Sequence, residues 1–174
     1  ERVLIIGLGG GALPRRMWRD YPDVSLDVVE IDPVVVEVAR NFFELPQDSR
    51  LSVIVADGRS YLNSVDREYD HIIIDAFNTD SIPAKLTTDS FFRCVKARLS
   101  FEGVMAINVI SAIQGTHSAV YHSLGKTIAG IWNRVYTFPI GIHHSKDPER
   151  VRNIVILATD REISREVLEE RVRG

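Results

Sequence analysis

The sequence predicts an α/β protein built on an open, mostly parallel sheet with helices on both faces. Three observations carry that prediction. Short runs that are nearly all apolar and β-branched recur along the chain, amphipathic stretches alternate with them, and the first run breaks directly into glycines in "VLIIGLGGGALPRRM". Strands buried on both faces read as continuous apolar runs. Their alternation with helices implies right-handed crossovers and a parallel sheet covered on each side. The 174 residues suffice for one domain with a sizeable core.

Taken in order, Val3–Ile6 is the first strand and Leu13–Tyr21 the helix that follows it. Leu26–Glu30 is the second strand. The next helix, Pro33–Phe43, repeats Val35, Val38, Ala39 and Phe42 at helical spacing, with Pro33 suited to the first turn. Leu51–Val55 and His71–Asp75 are the third and fourth strands, Asp89–Leu99 a helix and Val104–Val109 the fifth strand. A late helix is expected around Ser118–Ile131. Val135–Phe138 and Asn153–Thr159 then flank the polar loop "GIHHSKDPER" and read as an antiparallel hairpin. No internal repeat, low-complexity tract or interdomain linker interrupts the pattern, so residues 1–174 read as one domain.

Composition removes several function classes. The net charge of -3 offers no basic footprint, so no nucleic-acid partner is expected. Cys94 is the only cysteine, which rules out an internal disulfide and makes a cysteine-based zinc site an unsuitable reading. No apolar run approaches the roughly 20 residues that span a bilayer, and no signal peptide precedes the first strand, so no membrane association and a cytoplasmic location are expected. A core strand this close to the first residue reads as a chain with residues missing upstream.

In such a sheet, ligands bind at the carboxyl ends of the strands, where the winding reverses. Gly7, Gly9 and Ala12 fit G-x-G-x-x-G/A after the first strand, a pattern that brings ligand close to backbone; a purely structural strand–helix turn is the other reading. Glu30 ends the second strand in "VVEIDP", about twenty residues on, where an acid accepts hydrogen bonds from ribose hydroxyls. Asp32, before Pro33, fits a helix-capping role better than Glu30 does. Asp57 ends the third strand in "ADG", placed to accept from an adenine amino group, and Asp75 ends the fourth. The long loop "AFNTDSIPAKL" adds Asp80. There is no G-x-x-x-x-G-K-[ST] run and no basic residue within the glycine turn, although Arg15 and Arg16 follow it. Acids closing three successive strands suit a ribose, an adenine and a positive centre better than a dinucleotide. A sulfonium nucleoside has those parts.

The series "VLIIGLGGGALPRRM", "LDVVEIDPVVVEVARNFF", "LSVIVADGRSYL", "YDHIIIDAFNTDSIPAKLTTDSFF" and "GVMAINV" resembles the spermidine synthase-like group of the class I methyltransferase fold, over about Val3 to Val109. That resemblance implies a Rossmann-like, seven-stranded, mostly parallel sheet with its last strand antiparallel. It implies that Glu30, with Ile31 beside it, holds the ribose, that Asp57 with Gly58 holds the adenine, and that the Gly7–Gly11 turn, Gly9 and Gly10 included, holds the sulfonium tail. Asp75 and Asp80 would lie on the loop over the reaction centre, Asp80 taking the proton from an amine nucleophile and Asp75 positioning. The donor implied is S-adenosylmethionine or decarboxylated S-adenosylmethionine, with no metal, and the partner a small amine or polyamine acceptor; the habit of the family adds a possible homodimer. Two departures stand out. Family aminopropyltransferases carry an acid in a G-G-G-D-G turn where this chain has Gly10, and their N-terminal β-rich domain has no counterpart here.

Other residues carry less. His143 and His144 read as loop surface, His117 and His122 as residues of the late helix facing different ways, and Trp18 and Trp132 as packing on the sheet. Ser111–Gln114 either lines an acceptor pocket or leads into a helix. The run "REISREVLEERVRG" reads as a solvated helix. Three functions therefore compete: alkyl transfer from a sulfonium nucleoside to an amine, as aminopropyl or as methyl; a nucleoside-binding homologue without turnover; and a nicotinamide-dependent oxidoreductase. Against the last, the chain lacks a Tyr-x-x-x-Lys pair and a convincing catalytic histidine.

Overall fold

The structure, a computed structural model, describes residues 1–77, 82–141 and 146–162. The chain runs β1 (Arg2–Ile6), α1 (Ala12–Asp20), β2 (Ser25–Glu30), α2 (Pro33–Phe42), β3 (Leu51–Val55), α3 (Gly58–Ser64) and β4 (Tyr69–Ile74). A short 3-10 helix (Ala84–Leu86) leads into α4 (Asp89–Ala97), β5 (Leu99–Ser111), α5 (Ala119–Ala129), β6 (Arg134–Pro139) and β7 (Arg152–Thr159). Among the described residues seven strands form one sheet in the order β3-β2-β1-β4-β5-β7-β6. The pairs β1–β2, β1–β4, β2–β3 and β4–β5 are parallel, whereas β7 is antiparallel to both β5 and β6. The expected α/β sheet, with its antiparallel late pair, is therefore present.

Alternation along the central strands divides the core in two. Val3 and Ile5 of β1 pack in one buried cluster with Val36 and Ala39 of α2, and Leu13, Met17 and Trp18 of α1 pack against it. Leu4 and Ile6 point the other way, into a cluster holding Leu62 of α3, Phe91, Phe92 and Val95 of α4, and Leu124 and Ile128 of α5. Side chains of period two on β1 thus pull helices onto both faces. Trp132 is buried edge-on to Phe92, and Trp18 lies under the Arg50 guanidinium, 5.5 Å from its ring centre. Both tryptophans pack as expected. No described helix is long and apolar enough to cross a membrane.

Several boundaries differ from the sequence expectation. α3 was not anticipated, because only Gly58 and Leu62 of "GRSYLNS" are buried and no amphipathic period develops. α4 ends at Ala97 rather than Leu99: the Arg98 amide turns back to the Val95 carbonyl at 3.0 Å, and Leu99 opens β5. β5 also begins earlier than Val104, since the exposed Phe101 and Glu102 hide its start from an apolar reading. His117 precedes α5 instead of lying on it; its carbonyl accepts from the Ser111 hydroxyl at 2.8 Å and the Ala112 amide at 3.0 Å. Ser111 ends β5, and Ala112–Gln114 then leads toward that helix, with the Ile113 and Gln114 amides on the Pro148 carbonyl. Asp80, His143, His144 and the terminal run from residue 163 lie outside the described residues.

Gly7 fixes where the sheet opens. It follows β1 with φ +102°, and a Cβ there would stand 2.4 Å from the Asp75 carbonyl oxygen. A side chain would meet both a backbone clash and a disfavoured conformation, the latter alone worth about 1–3 kcal/mol. Gly7→Ala is expected to lower the melting temperature by about 2–4 °C for each kcal/mol lost, measured by thermal unfolding; an unchanged melting temperature would contradict the packing described.

Candidate functional site

The chain winds from β1 outward through β2 to β3, then returns to lay β4 on the other side of β1. At that reversal a crevice opens beyond the carboxyl ends of the strands. It holds a cavity of about 420 Å³, whose polar lining is supplied by Gly7, Gly9, Glu30, Asp57, Asp75 and Lys85. Each acid sits at or just beyond the end of a different strand, so strand order alone brings together residues far apart in sequence.

Glu30 closes β2. Its Oε2 accepts the Leu8 amide at 2.9 Å and its Oε1 accepts the Asp32 amide at 3.1 Å, which ties the glycine turn to the β2 end. A carboxylate has about four lone-pair sites. Each oxygen of Glu30 therefore keeps about one for a ligand, and the two together match a vicinal diol. Asp32 accepts the Val34 amide at 2.8 Å and caps α2, as expected. Ile31 lines the cavity beside Glu30.

Asp57 caps α3. Its Oδ1 accepts the Ser60 amide at 2.9 Å and the Ser60 hydroxyl at 3.1 Å, while its Oδ2 accepts the Lys85 ammonium. That ammonium holds the Asp57 carboxyl below the usual carboxylate range; partial burial opposes the shift and the Ser60 amide and hydroxyl assist it. Gly58, the first residue of α3, lines the cavity next to it. Asp75 follows β4; its amide extends the ladder to the Ile6 carbonyl at 2.9 Å, and its Oδ1 accepts Asn108 Nδ2 at 3.0 Å. Asn108 Oδ1 is buried and has no hydrogen-bond partner among the described residues, leaving one acceptor beside Asp75 to be satisfied.

The glycine turn divides. Gly7 and Gly9 line the cavity, whereas Gly10 is exposed and Gly11 is buried under Leu45, and neither belongs to the lining. The Gly9 and Gly10 amides have no acceptor among the described residues. Gly7, Gly9 and Gly11 have positive φ; Gly10 does not. Sequence reasoning missed two polar residues here: Lys85, which lines the cavity, and Asn108, which lies behind the lining and holds Asp75. Asn108 did leave a signal, as the one polar residue in the apolar run "VMAINV"; Lys85 in "IPAKL" is legible only once the fold sets it opposite Asp57.

Together, the strand order, the reversal at β1 and β4 and the acid-lined crevice define the class I methyltransferase fold. Residues 1–142 match the family described as the Spermine/spermidine synthase domain, and the chain belongs to that family. The polyamine aminopropyltransferase of Vibrio vulnificus (strain CMCP6) is 35% identical over 161 residues, covering 91% of this chain and 50% of that protein. Human methyltransferase-like protein 13, solved in complex with SAH, superposes with a TM-score of 0.80 at 25% identity over 99% of this chain and 78% of that one. A probable spermidine synthase from Corynebacterium glutamicum ATCC 13032 shares the fold with a TM-score of 0.82 at 24% identity, over 94% of this chain and 57% of that one. The chain spans half the length of the Vibrio relative.

Proposed function

We propose that the chain is a spermidine synthase-like transferase that binds a sulfonium nucleoside in this crevice and moves an alkyl group, aminopropyl in the family's reaction, from sulfur to an amine. The single observation that carries the reading is Glu30, whose two oxygens are each half-used by backbone and left open to a pair of hydroxyls. Asp57, kept ionised, offers an acceptor for an adenine amino group, and Ile31 with Leu86 offers apolar surface to the ring. The similarity to a polyamine aminopropyltransferase supports a small amine as acceptor.

The reaction is a displacement. The amine lone pair forms a bond to the carbon on sulfur, the C–S bond breaks, and its electron pair stays on sulfur as a neutral thioether. An amine arrives mostly as ammonium and first gives a proton to a carboxylate. Asp80 is proposed for that step because Phe77 and Pro83, which stand on either side of it in the sequence, both line the cavity. Asp75, held by Asn108, is proposed to position the reacting groups.

A second reading, methyl transfer from intact S-adenosylmethionine, is favoured by the turn. Where an acid would attract the free ammonium of a decarboxylated donor, this chain has Gly10, and the Gly9 and Gly10 amides, without an acceptor among the described residues, suit a carboxylate. The similarity to a methyltransferase-like protein solved with SAH points the same way.

Three measurements test these readings. Glu30→Ala should weaken 5′-methylthioadenosine binding by roughly 1.5–3 kcal/mol in calorimetry while the variant still unfolds cooperatively; equal affinity would remove the ribose assignment. Asp80→Asn should abolish turnover with nucleoside affinity kept, and full turnover would move proton transfer elsewhere. In competition binding the wild type should take S-adenosylmethionine at least as well as its decarboxylated form. A preference of about tenfold for the latter, 1.4 kcal/mol, would refute the role given to Gly10, whose ordinary φ lets Gly10→Asp shift selectivity toward the decarboxylated donor without backbone strain, its Cβ meeting only the Phe43 ring at an ordinary 3.6 Å.

A further inference from the structure

Lys85 is a cation inside an otherwise acidic crevice. It sits on the 3-10 helix that re-enters the site after the loop beyond β4, between Pro83 and Leu86, which also line the cavity. Its ammonium contacts one group among the described residues, Oδ2 of Asp57. Hydrogen-bond capacity then limits what this pair still has to offer. Of the roughly four lone-pair sites of Asp57, the Ser60 amide and hydroxyl take two on Oδ1 and Lys85 takes one on Oδ2. One acceptor site is left. Lys85 has three N–H donors and uses one, so two remain. The pair therefore presents an acceptor and a donor side by side at the cavity wall, as the amide of an asparagine does when it grips the N6–N7 edge of adenine.

We propose that Asp57 and Lys85 read the base jointly: Asp57 Oδ2 accepts from the exocyclic amine of adenine while Lys85 Nζ donates to the ring nitrogen next to it. This rests on the nucleoside reading above and adds to it a specificity-determining cation on the loop side of the site. The pairing survives binding, because neither hydrogen bond requires the ion pair to break. It also makes the 3-10 helix part of the base pocket, so that the segment following β4 is engaged at the base as well as at the reaction centre. An ion pair serving only to tie two loops would be worth little at this half-exposed position and would leave base selectivity untouched.

The test is calorimetry of the whole chain with 5′-methylthioadenosine and its 1-deaza and 7-deaza analogues, for wild type, Lys85→Met and Lys85→Arg. Lys85→Met keeps the aliphatic stem and removes the donors; Lys85→Arg keeps charge and donors. The wild type should bind one of the two deaza analogues at least about tenfold more weakly than the parent. Lys85→Met should lose affinity for the parent by a similar factor and no longer distinguish it from that analogue, and Lys85→Arg should restore much of the difference. Wild-type binding of both analogues within about twofold of the parent, or unchanged discrimination in Lys85→Met, would overturn the joint readout while leaving Glu30-dependent binding intact. Failure of the wild type to bind 5′-methylthioadenosine at all would overturn the nucleoside reading and this inference together.

Discussion

Everything in the crevice depends on how closely the end of β1 approaches the end of β4. Gly7 occupies that fork. Its amide donates to the Val29 carbonyl of β2 at 2.8 Å, while on its other side the Asp75 backbone comes so near that no side chain fits. One residue thereby joins three strand ends. Because Gly7 turns at positive φ, the next amide, that of Leu8, swings onto Glu30 and fixes the acid's orientation. A larger residue would push β4 away and carry Asp75 out of register with Asn108, its partner across the β4–β5 pair.

Three carboxylates face the same space, yet their surroundings give them different chemistry. Glu30 is held by two backbone amides and keeps capacity on both oxygens. Asp57 spends one oxygen on capping α3 and shares the other with a cation. Among the described residues the Asp75 carboxylate has a single neutral donor, the Asn108 amide, the fewest donors of the three. Charge that attracts a cationic ligand is thus arranged with little internal pairing beyond Lys85.

The features legible in the sequence were those set by local periodicity or by strand order. Glu30, Asp57 and Asp75 could be placed because each ends an apolar run, and parallel winding sends every such end to one edge. Asp32 could be separated from Glu30 because a proline follows it. What escaped was decided by partners distant in sequence. α3 owes its start to the Asp57 cap rather than to an apolar stripe, and the start of β5 is hidden by the exposed Phe101 and Glu102. Lys85 belongs to the site only because the 3-10 helix Ala84–Leu86 lies against Asp57 at the end of β3. Gly10 and Gly11, grouped with Gly7 and Gly9 on pattern alone, proved to lie outside the cavity lining that those two share, which a motif cannot express.

The insertion of β7 between β5 and β6 has a bearing on how the chain is made. Ser111 pairs with Arg152 and Met105 with Ala158, so the latest of the seven described strands to be synthesised fills an interior position in the sheet. Until it arrives, β5 is an unpaired border whose Met105, Ile107 and Val109 belong to the buried cluster of the finished protein. Such borders invite pairing with other chains, and non-local strand pairing is slow to form. The left half of the sheet, β3-β2-β1-β4, consists of segments already synthesised by then. The crevice at the β1–β4 reversal is therefore outlined early in synthesis, and the vulnerable interval falls in the half of the sheet that does not line it.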